Sequence, residues 1–161
     1  MSLFDRRSVI FLPMALAACG FAPAYGPGGT AVGLQGRIRV ASPTDKNGFD
    51  LVERLEERLG RADAAAYDLA FTITTMPIGV GVTPEDATTR FHLTGSIDFS
   101  VISRASGARV TGGRVESFAA YSATGSTVAG LTAEEDAARR LMRVLGDQIV
   151  TRLIATAGAW A

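Results

Sequence analysis

The sequence predicts an α+β domain in which two helices pack on one face of a four-stranded mixed sheet. Four segments alternate polar and apolar residues, which is the spacing of strands with one buried face. Two segments repeat apolar residues at helical spacing, so each helix has one apolar stripe. The order is strand, helix, three strands, helix, and packing both helices on one face of the sheet buries every apolar surface.

The first strand and the first helix open the predicted domain. Residues 37–41 alternate in polarity, and a Ser-Pro pair then ends the strand. Asn47 is a suitable N-cap for the helix that follows, and Gly60 suits its C-terminal end. The residues expected on the buried stripe of this helix are Phe49, Val52, Leu55 and Leu59.

Three strands follow, and they are expected to form an antiparallel meander. The second strand covers residues 67–75, where a Met-Pro pair interrupts the pattern. The third covers residues 90–103 and the fourth residues 109–122, with a Gly107-containing hairpin turn between them. The Gly-Gly pair at 112–113 interrupts the alternation and predicts a bulge. The core face of the third strand should contain Phe91, Leu93, Ile97, Phe99 and Val101.

The second helix closes the domain after a loop at residues 123–130. Thr132 and Glu135 have the spacing of a capping box, and the helix is expected to continue to about residue 155. Its apolar stripe is Ala138, Leu141, Leu145, Ile149 and Leu153. Three oppositely charged pairs four residues apart are expected on its exposed face: Glu135–Arg139, Asp136–Arg140 and Arg143–Asp147.

The N-terminal segment has the pattern of a bacterial lipoprotein signal peptide. Two arginines precede a short apolar run that ends in Leu-Ala-Ala-Cys19. Residues 8–18 are too short to span a bilayer, which takes about 20 apolar residues, and Pro13 disfavours a core helix. Because Asp-Arg-Arg-Ser at residues 5–8 also resembles a twin-arginine signal, export by the Sec route and export by the twin-arginine route both remain open. We expect residues 1–18 to be removed and Cys19 to carry lipid, including palmitate.

The remaining sequence divides into a tether and one domain. Of the residues from 20 to 36, six are Gly and two are Pro, a composition typical of a linker. We therefore expect a lipidated tether over residues 19–36. A single α/β sandwich domain should follow over residues 37–157, a length that suits one core.

Composition argues against nucleic acid as a partner and against thiol chemistry. Removing residues 1–18 leaves a net charge near −1, whereas nucleic-acid-binding domains have a strong basic excess. Cys19 is the only cysteine, so acylation leaves no thiol for a disulfide or a metal site. The expected partner on this evidence is a membrane, contacted through the N-terminal lipid.

The sequence contains no recognisable catalytic set. His92, the single histidine, falls on the polar face of the third strand and is expected to be an ordinary strand residue. Glu56-Glu57 and Glu134-Glu135 are interpreted as helix-surface and capping carboxylates rather than acid/base pairs. The Gly79-Val-Gly segment is too short for a phosphate loop. We predict a protein that is not an enzyme and that holds no metal and no cofactor.

Arginines around the predicted hairpin are the one polar feature that suggests a ligand. Arg90, Arg104, Arg109 and Arg114 are expected to flank it, and a patch of this kind could bind phosphate through bidentate contacts. Ordinary edge and solubility charges are the competing interpretation. Arg90 and Arg114 are the candidate contacts for a phosphorylated ligand.

Several segments resemble the LptE family of lipopolysaccharide-assembly lipoproteins in alphaproteobacteria. The sequence CGFAPAYG at residues 19–26 resembles the family's mature start, and segments 121–124, 133–137 and 147–153 resemble its C-terminal part. The family's fold implies two helices on a four-stranded sheet. Its function implies an outer-membrane lipoprotein that plugs the LptD barrel, helps it assemble and helps lipopolysaccharide reach the outer leaflet.

The resemblance therefore implies LptD and lipopolysaccharide as partners, with Arg90 and Arg114 as candidate phosphate contacts. It also implies an outer-membrane location, lipid-anchored and either facing the periplasm or inside the barrel lumen. Two other lipoprotein classes remain as alternatives: a periplasmic accessory of an ABC-type lipid transporter, and an activator of a peptidoglycan synthase. The partner that co-purifies would distinguish the three.

Overall fold

Two helices and four strands occur in the predicted order. The computed structural model describes residues 24, 26, 29, 31–82, 88–123 and 126–161. The strands are β1 (Ile38–Val40), β2 (Tyr67–Val82), β3 (Thr88–Ser103) and β4 (Arg109–Ser122). The helices are α1 (Lys46–Leu59) and α2 (Thr127–Thr156). The predicted lipoprotein signal over residues 1–18 and the lipidation site Cys19 lie outside the described residues.

The sheet is mixed, as predicted, and its strands follow one another in sequence order from β1 to β4. β1 pairs with β2 in parallel, because the crossover through α1 returns the chain in the same direction. β2, β3 and β4 form the antiparallel meander. The α+β prediction is confirmed.

The core lies between the helices and one face of the sheet. Leu141, Leu145 and Ile149 of α2 are fully buried, and Ile97 and Phe99 of β3 are buried opposite them. An ideal Cβ at Gly95 would lie 2.8 Å from Leu141 Cδ2, so this glycine sets how closely α2 approaches the sheet. The predicted core face of β3 and the predicted stripe of α2 are therefore confirmed.

Helix α1 begins earlier than predicted and presents a different face. Its N-cap is Asp45, whose side chain accepts a hydrogen bond from the Gly48 N–H at 2.7 Å. Phe49 is 63% exposed, and Leu51 takes the expected place of Phe49 in the core. Leu51, Leu55 and Leu59 form the buried i, i+4 series, and Leu55 and Leu59 were predicted correctly. The helix therefore has an apolar stripe, but it is rotated away from the predicted one. Gly60 ends the helix as predicted, at a positive φ of 75°.

Strand β2 continues through Pro77, where the sequence predicted a break. Pro77 lies opposite Leu93 of β3, and β1 has already ended at Val40, opposite Leu69. The Leu69 carbonyl faces β1, since it accepts from the Ala41 N–H at 2.8 Å. Backbone groups of alternate residues on a strand point to the same edge, so Pro77 faces that edge too. Its missing N–H therefore costs no hydrogen bond to β3.

The irregularity in β4 lies at Val110 rather than at Gly112-Gly113. Val101 of β3 is opposite Thr111, whereas the next residue, Ile102, is opposite Arg109. Val110 is thus the extra residue. The glycines instead make room for side chains, because a Cβ at Gly113 would lie 2.7 Å from the Arg152 Nη1 atom.

Helix α2 begins at Thr127, five residues before the predicted capping box. Ser126 is the N-cap and accepts from the Ala129 N–H at 3.3 Å. Thr132 lies inside the helix, where its hydroxyl donates to the Val128 carbonyl at 3.0 Å. Local sequence did not separate the two caps, since both serine and threonine are favoured N-cap residues and only Thr132 is followed by a glutamate at the capping-box spacing.

Only one of the three predicted charge pairs along α2 is formed as such. Arg140 and Asp136 are 2.9 Å apart. Glu135 pairs instead with Lys46 of α1, with 2.7 Å between Nζ and Oε2, and this contact lowers the pKa of the Glu135 carboxyl. Asp147 pairs with arginines of α1. Tertiary partners therefore replaced two of the local ones.

Residues 31–36 pack against the domain, although they fall within the stretch predicted as a tether. Val32–Leu34 forms one 3-10 turn, and both Ala31 and Leu34 are buried. The Gly36 N–H donates to the Leu59 carbonyl at the end of α1, at 2.8 Å.

At the C-terminal end of the chain, Trp160 packs edge-on against Tyr67, with ring centroids 5.0 Å apart.

Candidate functional site

The face of the sheet opposite the helices is open. Alternate side chains of β2, β3 and β4 project from it, and they line a shallow depression of about 480 Å³. Its lining includes Thr74, Met76, Thr94, Arg114, Glu116 and Phe118. Met76 and Phe118 are each 58% exposed, so two large apolar side chains lie on an otherwise polar sheet face. We call this surface the open face.

His92 extends the apolar part of the open face. Its ring stacks on that of Phe118, with centroids 4.6 Å apart and planes inclined by 25°. Ile78 of β2 lies opposite His92 and is 42% exposed. The histidine is therefore a strand residue packed against an aromatic ring.

Arg114 lies on the open face between two carboxylates. Its Nε is 2.7 Å from Glu116 Oε1, and its Nη1 is 3.7 Å from Asp98 Oδ2. Its Nη2 donates to the Ser96 hydroxyl at 3.0 Å, and Ser96 is buried beneath it. The guanidinium is thus positioned, and its charge is balanced within the sheet.

The predicted cluster of four arginines is not formed. Arg104 and Arg109 flank the hairpin turn, where Arg104 contacts Asp68 at 3.4 Å and Arg109 folds over Gly112. Arg90 is exposed near the other end of β3, opposite Ser122. It lies eight residues from Asp98, the cross-strand neighbour of Arg114, or about 27 Å along the strand. Arg90 and Arg114 therefore could not share one phosphate group.

The strongest charge cluster lies between the helices. Arg54 of α1 donates two hydrogen bonds to Asp147 of α2, at 3.0 Å from Nε and 2.8 Å from Nη2. Arg58 donates to the same carboxylate at 2.8 Å. The bonds of Arg54 to Asp147 and to Glu57 raise the pKa of Arg54 above its ordinary value. The cluster joins two helices and is a structural element.

The carboxylate pairs that the sequence singled out are engaged with neighbours. Glu56 pairs with Arg61 at 3.0 Å, and Glu57 with Arg54 at 2.7 Å. Glu134 lies near the Tyr121 hydroxyl, whose pKa is raised by burial and by this carboxylate. Within the described residues, no group of three or more potential metal ligands is present. No helix in that part of the chain has the length and apolar character needed to cross a membrane.

The geometry defines a class of small α+β domain that has one covered sheet face and one open, partly apolar face. The LptE family, described as lipopolysaccharide-assembly, matches residues 36–153. This chain belongs to the LptE family. A search of curated proteins finds no match.

Solved structures of lipoproteins share the fold. A lipoprotein from Caulobacter crescentus CB15 is 23% identical with a TM-score of 0.68, covering 83% of this chain and 98% of its own. Rare lipoprotein B from Shewanella oneidensis is 15% identical with a TM-score of 0.58, covering 74% and 93%. Lipoprotein B from Nitrosomonas europaea is 13% identical with a TM-score of 0.57, covering 76% and 84%. At these identities the likeness establishes the fold alone.

Proposed function

We propose that this chain is a lipid-anchored outer-membrane lipoprotein and a non-catalytic assembly partner of the LptD barrel. In this role it helps lipopolysaccharide reach the outer leaflet. The family match from Gly36 to Leu153 runs from the start of β1 to the last turn of α2, so it includes nearly the whole described fold. The Leu-Ala-Ala-Cys19 sequence supports the lipid anchor.

The observation that carries the partner proposal is the open face. It continues along β2 and β3, which have 16 residues each, so it is about 50 Å long. Exposed apolar side chains on an otherwise polar sheet face mark an interaction surface. Contact with the barrel would bury Met76 and Phe118.

A non-catalytic role is supported by the same geometry. Glu56, Glu57 and Glu135 are each paired with an arginine or a lysine. The ring of His92 stacks on that of Phe118. On the open face, Arg114 is held between Glu116 and Asp98. These arrangements position side chains for contact rather than for proton transfer.

Affinity purification from detergent-solubilised outer membrane tests the proposal. The unmodified chain should recover a large outer-membrane barrel, and Phe118→Asp should lose most of it because a carboxylate would be buried in the contact. Phe49→Asp is the matched control, since Phe49 is also a phenylalanine, is 63% exposed and lies on α1. This control should recover the barrel normally.

Three outcomes would contradict the proposal in different ways. Recovery of an inner-membrane transporter would support the transporter-accessory alternative, and recovery of a peptidoglycan synthase would support the activator alternative. Equal recovery of the barrel with both aspartate variants would exclude the open face as the contact. Normal surface lipopolysaccharide and a normal barrel after depletion of the protein would exclude the assembly role itself.

A further inference from the structure

Strand β4 forms one edge of the sheet, and among the described residues no strand pairs with its outer side. It is last in the strand order and pairs with β3 alone. An exposed edge of this length, 14 residues, presents a row of backbone N–H and C=O groups to which a second chain could pair. Proteins with such edges commonly carry features that prevent this.

Two arginines of α2 occupy carbonyls on that outer side. Arg152 Nη1 donates to the Arg114 carbonyl at 2.8 Å, and Arg140 Nη2 donates to the Ala120 carbonyl at 3.2 Å. The two carbonyls are six residues apart, and alternate residues of a strand face the same edge. Between these two carbonyls, only Glu116 and Phe118 direct their backbone N–H and C=O groups to the outer side. The two carbonyls are about 20 Å apart along the strand.

Each arginine is positioned by a second feature of the fold. Arg152 lies against Gly113, where a side-chain carbon would approach its Nη1 to 2.7 Å, so the glycine provides the space for the guanidinium. Arg140 is oriented by Asp136, whose Oδ2 is 2.9 Å from its Nε. The two contacts are thus built into the packing of α2 on β4.

The opposite edge of the sheet has a different obstacle. Beyond Leu69, β2 has no partner on its outer side among the described residues, and Pro77 faces that side without an N–H. Both long edges therefore interrupt the row of backbone groups, one with a proline and the other with arginines.

We propose that Arg140 and Arg152 close the β4 edge to strand addition by a second copy of this chain. The sequence itself would favour such pairing. In an antiparallel arrangement centred on Val115, Arg114 of one copy would lie opposite Glu116 of the other, twice across the contact. The two arginines keep the chain monomeric and leave the open face free for its own partner.

The test is the self-association of the full chain in detergent micelles, measured by light scattering and sedimentation over a range of concentrations. Arg140→Ala combined with Arg152→Ala should strengthen dimerisation by about tenfold or more over the unmodified chain. Arg139→Ala combined with Arg143→Ala is the matched control, because both residues are exposed on α2 and the charge change is identical. This control should remain monomeric.

Hydrogen exchange and a third variant locate the contact. The amides of Glu116 and Phe118 should exchange more slowly in the Arg140/Arg152 variant than in the control. Adding Phe118→Pro should abolish the dimer, since proline removes an outward N–H without affecting the bonds to β3. Circular dichroism melts verify folding. A variant as monomeric as its control, association in both, or a dimer that survives Phe118→Pro would overturn the proposal.

Discussion

Arg54 of α1 and Asp147 of α2 are joined side-on by two hydrogen bonds of 3.0 and 2.8 Å. The stem of Arg54 reaches this position by crossing Gly146, where an ideal Cβ would be 3.1 Å from Arg54 Cγ. The planar guanidinium suits a bidentate contact of this kind. A single carboxylate thus connects two helices through residues that are 93 positions apart in sequence.

Asp147→Asn should destabilise the domain by about 1–2 kcal/mol, because the arginines lose their charged acceptor but part of each remains solvated. Asp136→Asn is the control. It breaks only the exposed Arg140 pair and should cost about 0.5 kcal/mol or less. Urea unfolding followed by circular dichroism measures the free energy of unfolding of both variants. Equal losses would show that the interhelical pair stabilises the domain no more than the exposed pair does.

Gly95→Ala should destabilise the domain by about 1–3 kcal/mol through overpacking. The new methyl group would lie 2.8 Å from Leu141 Cδ2 and 3.3 Å from Leu145 Cδ1, and both leucines are fully buried. Gly158→Ala has no atom within 4 Å of the new carbon and serves as the control. Thermal melts that show no difference between the two variants would mean that α2 can move away from the sheet at little cost.

Alkaline pH should reduce stability through Tyr121. Burial, together with Glu134, raises the pKa of its hydroxyl above the unfolded value of about 10. As the pH rises past 10, the unfolded chain releases this proton before the folded chain does, so the free energy of unfolding falls. Tyr121→Phe should show a smaller loss over that range. Parallel pH profiles for the two proteins would argue against this assignment.

Cys19→Ala should leave uncleaved precursor and abolish incorporation of radiolabelled palmitate, because the thiol is the proposed attachment point. Cleavage at the small residues before Cys19 requires a modified cysteine in a lipoprotein signal. Fractionation should then place the protein away from the outer membrane. Normal labelling of the variant would exclude lipidation at this residue.

The structure leads to different expectations for Arg90 and Arg114, the two candidate contacts for lipopolysaccharide phosphates. Arg114 is held between two carboxylates, whereas Arg90 is exposed near the other end of β3. Arg90→Glu should therefore weaken binding of purified lipopolysaccharide more than Arg114→Glu, and it should reduce the salt dependence of binding. Arg61→Glu, at an exposed position just after α1, is the control. Unchanged binding in both variants would remove the assignment and leave the assembly role intact.

The sequence predicted those elements whose signals are local and strong. The alternation in β3 and the stripe through Leu141 and Leu145 identified the buried faces correctly, since burial on one side leaves a clear period. Pro77 was misleading because its effect depends on whether its edge has a neighbouring strand, which only the position of β1 decides. Asp147 was assigned a partner on its own helix for the same reason, as nothing in the local sequence reveals α1.

The candidate surface was less predictable than the fold. Apolar residues such as Met76 and Phe118 fit a strand pattern whether they are covered or exposed, so the sequence gives no sign that they remain in solvent. The arginines were assigned to one end of the hairpin by their nearness in sequence. The strand register instead places Arg90 near one end of β3 and Arg114 opposite Asp98, eight residues farther along that strand.

The three-residue length of β1 has a consequence for the order in which the chain folds. Its pairing joins Ile38 to Tyr67 across the whole of α1, whereas the β3–β4 hairpin closes through a short turn. Contacts distant in sequence form later and with a larger entropic cost. The β2–β3–β4 meander should therefore form first, and β1, with only three paired residues, should be the first strand to open in the native state. Opening of β1 would release Ala31 and Leu34 with it and lengthen the connection between the proposed lipid anchor at Cys19 and the folded body.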